Sequence, residues 1–163
     1  MELPGGNVEQ TFLPQVTNIR SRLLRGMPAP PTALLHRRAL FDNNRFDTSF
    51  RIAGDYEFLC RTWTDDNLGR SLDLLVTRMG WGGISTRPQA VLDVRLEEAR
   101  AARKHFPRVW MAPRRIKPLG GGVAIAGLCR MIGPARAAAF LDRLRMLRGL
   151  PPCWGSDIRH EQQ

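Results

Sequence analysis

Cysteine is scarce in this chain and poorly placed for any shared role. Cys60, Cys129 and Cys153 are the only three, far apart, with no CxxC and no Cys/His spacing of the zinc-binding kind. An odd count excludes a complete disulfide framework and points to a reducing compartment. Long apolar runs are missing too. The longest, residues 121–129, falls far short of the roughly 20 residues a membrane-spanning helix needs. The first ten residues, MELPGGNVEQ, lack the basic-then-apolar pattern of a signal peptide. These absences lead us to expect a soluble or peripheral chain. The short chemical motifs are silent as well: there is no G-x-S-x-G, no P-loop and no G-x-G-x-x-G.

Acidic residues thin out toward the C-terminus. From Arg108 onward ten Lys and Arg face three Asp and Glu, so this last third carries +7 of the chain's +10. The first 107 residues hold 15 basic against 12 acidic side chains. Such asymmetry suggests a basic tail turned toward an anionic membrane surface or a nucleic acid. Aromatic residues do not interleave with the basic ones and no recognition motif occurs, which weighs against nucleic acid.

What is present suffices for one domain, or one domain with a tail: 163 residues, 43% of them apolar. The densest stretch is FDTSFRIAGDYEFLCRTW, residues 46–63. Asp47 and Ser49 are turn-forming residues whose side chains bond nearby backbone. Gly54-Asp55 opens a helix on which Tyr56, Leu59, Cys60 and Trp63 recur at helical spacing. Upstream, residues 16–25 read as a short basic helix broken by Gly26-Met27-Pro28. Residues 32–35 then read as a buried strand, with His36 at its edge, and residues 37–43 as a helical turn. Downstream, residues 71–79 read as a second strand and residues 80–85 as a glycine-rich bend. Pro88 sits in the first turn of a long helix reaching His105. Leu92, Leu96 and Ala99 form its expected apolar stripe, and Glu97, Arg100 and Lys104 its solvated charge face. PRRIKP, residues 113–118, reads as a basic linker and boundary. Two helices follow it, residues 123–132 and 135–147. The second is basic and amphipathic, with Phe140, Leu141, Leu144 and Leu147 on one side and Arg136, Arg143 and Arg148 around it; it suits a membrane surface or packing on the domain.

The order MPAPPTALLHRRALF, FDTSFRIAGDYEFLCR, GWGGIST and FLDRLRMLRGLPPCW resembles the second half of family 2 glycosyltransferases, the GT-A enzymes of bacterial surface-polysaccharide synthesis. The resemblance spans residues 27–154. It implies an α/β fold: the acceptor-side half of a GT-A domain over residues 1–112, with a basic helical extension over residues 113–163. It also implies inverting transfer of a sugar from a nucleotide-sugar donor to a glycan or lipid-linked acceptor, by a cytoplasmic protein peripheral to the inner face of the cell membrane.

By the same resemblance Asp55 is the catalytic base, with Gly54, Trp81 and Gly82 at the acceptor. A carboxylate suits that role because a sugar hydroxyl is a poor nucleophile until its proton is removed. Asp55 has a second reading as a plain helix cap, and Trp81 as core packing. Arg61 and Arg78 suit either a diphosphate or the solvated surface. The family holds its donor through a divalent metal, Mg²⁺ or Mn²⁺, on a D-x-D in its first half. This chain has no D-x-D, so the resemblance implies a truncated or split enzyme with the missing half as partner. Pro31 and Thr32 also stand where many relatives carry histidine and glutamine. The competing reading is a non-catalytic module that binds a membrane or a partner chain.

Overall fold

The computed structural model describes residues 22–63, 72, 74, 76, 87–108, 113–150 and 152–154, with backbone only for 113–116. Four α-helices carry this part: α1, Gly54–Thr62; α2, Val91–His105; α3, Pro113–Ile132; and α4, Pro134–Leu147. Three 3₁₀ turns, Pro31–Ala33, Arg38–Phe41 and Pro88–Ala90, connect or precede them.

No strand occurs among the described residues, which overturns the expected α/β, GT-A-type architecture. At residues 32–35 the reason is local. Pro31 takes the first position of a 3₁₀ turn, for which its fixed φ is preset, and the Leu34 N–H closes that turn on the Pro31 carbonyl. Leu35 then lies 69% exposed instead of in a sheet. Of the expected second strand only residues 72, 74 and 76 are described. None is extended in a ladder, and Leu72 and Leu74 are exposed. The remainder of that stretch, and the glycine-rich bend after it, lie outside the described residues.

The core forms where α1 meets α2. Leu23, Phe50, Ala53, Tyr56, Leu59, Cys60 and Ala101 make one buried cluster, with Met27, Leu34, Trp63 and Phe106 packed against it. The spacing of Tyr56, Leu59 and Cys60 is the one expected from sequence. The Tyr56 hydroxyl donates to the Leu23 carbonyl, so the ring is buried with its polar end satisfied. Gly26, at φ 126°, ends the preceding helical turn in a conformation that glycine adopts without penalty.

Helix α2 begins after Pro88 as expected, but its facing is only partly the expected one. Leu96 is half-exposed, whereas Glu98, Ala101 and Ala102 are buried. The charged residues Glu97, Arg100 and Lys104 face the chain around α1, and the two alanines let the backbones approach. Residues 113–118 are no linker: α3 runs from Pro113 through Pro118, which lacks one backbone donor, to Ile132. Gly122 packs α3 closely on α2, since a Cβ there would lie 3.4 Å from the Leu92 Cα. Gly133, at φ 82°, and Pro134 at the first position of α4 make the turn between the last two helices.

Candidate functional site

Around α1 the structure gathers Asp47, Asp55, Glu57 and Glu97. Ala53, just before the helix, makes no side-chain cap. The cap comes from α2. One Glu97 oxygen accepts the backbone N–H groups of Ile52 and Ala53, each at 2.8 Å, and the other accepts that of Arg51 at 3.0 Å. Partial burial raises the Glu97 pKa, but these three donors outweigh it, and the net position is below the usual carboxylate range. The turn before the helix is tied in the same way. Asp47 accepts the Ser49 N–H at 3.0 Å and the Lys104 ammonium at 2.9 Å, and Arg100 donates to the Ser49 carbonyl and hydroxyl. The bonds from Ser49 and then Lys104 hold Asp47 well below its ordinary range. Arg100 also lies over the Phe50 ring, 3.9 Å from its centroid.

Glu57 is the centre of this knot. Its side chain is completely inaccessible to solvent. Oε1 meets Lys104 Nζ at 3.1 Å and His105 Nε2 at 2.8 Å, and Oε2 meets Arg61 at 3.4 Å. Burial pushes Glu57 upward; the bonds from His105, Lys104 and Arg61 together outweigh it, so the carboxylate is held ionised. Arg61 also donates to Asn44 and to the Arg45 carbonyl and lies over the Phe58 ring, which commits it to structure and takes it away from a diphosphate role. Phe58 in turn stacks on Phe41 (5.0 Å between centroids), with Phe46 and His36 packed beside it. His36 is thus held edge-on in an aromatic cluster, and partial burial lowers its pKa.

Asp55 stands apart from all this. It lies in the first turn of α1, half-buried, and its Oδ1 accepts the next backbone N–H, that of Tyr56, at 2.7 Å. Burial pushes its pKa above the usual value, against the pull of a backbone hydrogen bond. Glu57 lies two residues on, about 200° around the helix, and no hydrogen bond joins the two carboxylates. Asp55 has no ion pair among the described residues, whereas Asp47, Glu57 and Glu98 each have one.

Gly54 is the first residue of α1, and a Cβ there would make ordinary contact with Phe50 at 3.8 Å, so no close approach demands glycine. Trp81, Gly82 and Arg78 lie outside the described residues. For the divalent metal that the resemblance implies, the described residues do not fit: no three His, Cys, Asp or Glu side chains among them converge. Sequence reasoning gave Glu97 only to a solvated charge face and did not find the buried role of Glu57. The E-x-x-x-R spacing of Glu57 and Arg61, at i and i+4, was a visible signal for Glu57; nothing in the sequence links Glu97 to residues 51–53. A cleft of about 310 Å³ lies elsewhere, between α2 and α3, lined by Val91, Val94, Ile125 and Trp154 among others. No helix among the described residues is long and apolar enough to cross a membrane.

Compared with known protein families, with curated proteins and with solved structures, the chain matches none.

Proposed function

We propose that this chain supplies the acceptor side of an inverting sugar transfer, with Asp55 as the general base. The observation that carries the reading is the contrast on α1: Glu57 is buried and saturated with cations, while Asp55 one turn-start away is partly desolvated and unpaired. A carboxylate with raised proton affinity takes a hydroxyl proton more readily than a fully hydrated one. The N-terminal end of α1 favours the anion and fixes its direction. In the reaction Asp55 removes the proton of an acceptor sugar hydroxyl. The oxygen then forms a bond to the anomeric carbon of the donor, and the bond from that carbon to the nucleoside diphosphate breaks, its electron pair leaving with the diphosphate. Asp55 is left protonated.

The donor nucleotide-sugar, and the metal that holds it, would be bound by a D-x-D-bearing segment, and no step here is routed through the metal. The resemblance across residues 27–154 supports the same assignment. The glycan or lipid-linked acceptor would lie over the start of α1.

The test has two readouts on Asp55→Asn. Transfer of labelled sugar from nucleotide-sugars, by the chain combined with a D-x-D-bearing donor-binding half, should fall by about 10²–10⁴-fold. Thermal stability of the variant at neutral pH should be unchanged or slightly higher, because a carboxylate whose folded pKa is raised destabilises the fold once ionised. Undiminished transfer, or a clear loss of stability, sinks the assignment of Asp55.

The exposed apolar side of α4 favours a second reading, a binding module that performs no chemistry. Failure of the chain to support transfer with any such half would leave that reading in possession.

A further inference from the structure

Helix α4 packs in an unexpected direction. It buries Ala137, Ala138 and Asp142, and leaves Phe140, Leu144 and Leu147 48%, 38% and 78% exposed. These three recur at i, i+4 and i+7 and so form one stripe. Met131, 83% exposed, lies just before α4, and Leu150, also exposed, lies just after it.

The charges near the stripe are of one sign. Residues 113–150 contain eight Lys and Arg and a single acidic residue, Asp142. That carboxylate is buried, and its Oδ1 accepts the backbone N–H groups of Cys153 at 2.8 Å and Trp154 at 2.9 Å. Helical spacing puts Arg136 and Arg143 within about 60° of Phe140 around the axis, and both are exposed. The surface is therefore apolar side chains interleaved with arginines whose heads can reach outward from them.

We propose that this face of α4 docks on an anionic lipid bilayer, lying in the headgroup region with Phe140, Leu144 and Leu147 inserted and Arg136 and Arg143 against the phosphates. A second copy of the chain is the poorer occupant, since two such faces would bring +7 against +7. The helix lies on the bilayer and does not cross it, in keeping with its length of 14 residues. The proposal is independent of the sugar-transfer reading, and its test involves no catalysis.

The full chain is floated with vesicles of phosphatidylcholine alone, or of phosphatidylcholine mixed with phosphatidylglycerol. It should rise with the anionic vesicles only, and less so at high salt. Arg136→Gln with Arg143→Gln should lower partitioning about 30-fold, at about fivefold per arginine. Leu147→Ser should lower it about tenfold through lost insertion. Both variants alter exposed positions, and circular dichroism should show unchanged helix content. Equal flotation with neutral vesicles, no flotation at all, or a concentration-dependent dimer abolished by Leu147→Ser would each overturn the proposal.

Discussion

Replacing Glu57 by alanine leaves Lys104, His105 and Arg61 facing a buried gap where an anion stood. Removing one partner of a buried ion pair costs about 3–5 kcal/mol, because the remaining charge loses its compensation. Here the lower end applies. Lys104 is 49% exposed and Arg61 27%, so water recovers part of the loss at both, whereas His105 is largely enclosed. We therefore expect about 3 kcal/mol. At about 3 °C per kcal/mol for a chain of this size, the melting temperature should fall by about 9 °C. Glu57→Gln keeps the shape and one acceptor oxygen and should lose about half as much. The assay is urea unfolding followed by circular dichroism, with the slope checked for constancy between variants.

The pH dependence supplies a second arm. The folded pKa of Glu57 lies below its unfolded value, so its contribution is present above the ordinary carboxylate range and disappears as the pH falls through the folded value. Stability of the parent should drop on acidification from pH 6 toward pH 3, and Glu57→Gln should flatten part of that slope. A loss under about 1 kcal/mol for Glu57→Ala, or an acid limb unaltered by Glu57→Gln, would refute the view that this carboxylate ties α1 to α2.

Two further substitutions test the supports of the candidate site. Glu97→Ala strips the acceptor from three backbone N–H groups before α1 and should cost about 1–2 kcal/mol, its partial exposure keeping the figure low. Amide exchange at Arg51, Ile52 and Ala53 should quicken, and Glu97→Gln should restore part of the protection; unchanged exchange would exclude the cap. Asp142→Ala removes the acceptor for Cys153 and Trp154. Its expected cost is about 1–3 kcal/mol, with faster exchange at those two amides and no effect on residues 51–53.

Much of α1 and of the helix boundaries follows from short-range chemistry and is readable without coordinates. Tyr56, Leu59 and Cys60 have to share a face at 3.6 residues per turn, and that face is the core. Pro88 starts one helix and Gly133-Pro134 separates two others, since these residues constrain φ directly. Asp47 and Ser49 close their turn across the single residue between them. The expected strand at residues 32–35 failed for a reason equally local, the pull of Pro31 toward a 3₁₀ turn.

The facing of α2 and α4 was decided only in three dimensions. In α2, Leu96 is left half-exposed while Glu97 and Lys104 reach toward α1, because backbone donors at residues 51–53 and the carboxylates of Asp47 and Glu57 wait there. Those partners lie more than 40 residues away in the chain, beyond any periodicity rule. In α4, two alanines and a satisfied Asp142 make the inner face, so Phe140, Leu144 and Leu147, which sequence alone left between a membrane surface and the domain, stand outside. The same division separates the two carboxylates of α1. Sequence marks Asp55 and Glu57 as acids on opposite sides of a helix; packing against α2 saturates Glu57 with cations and leaves Asp55 half-desolvated and free to take a proton.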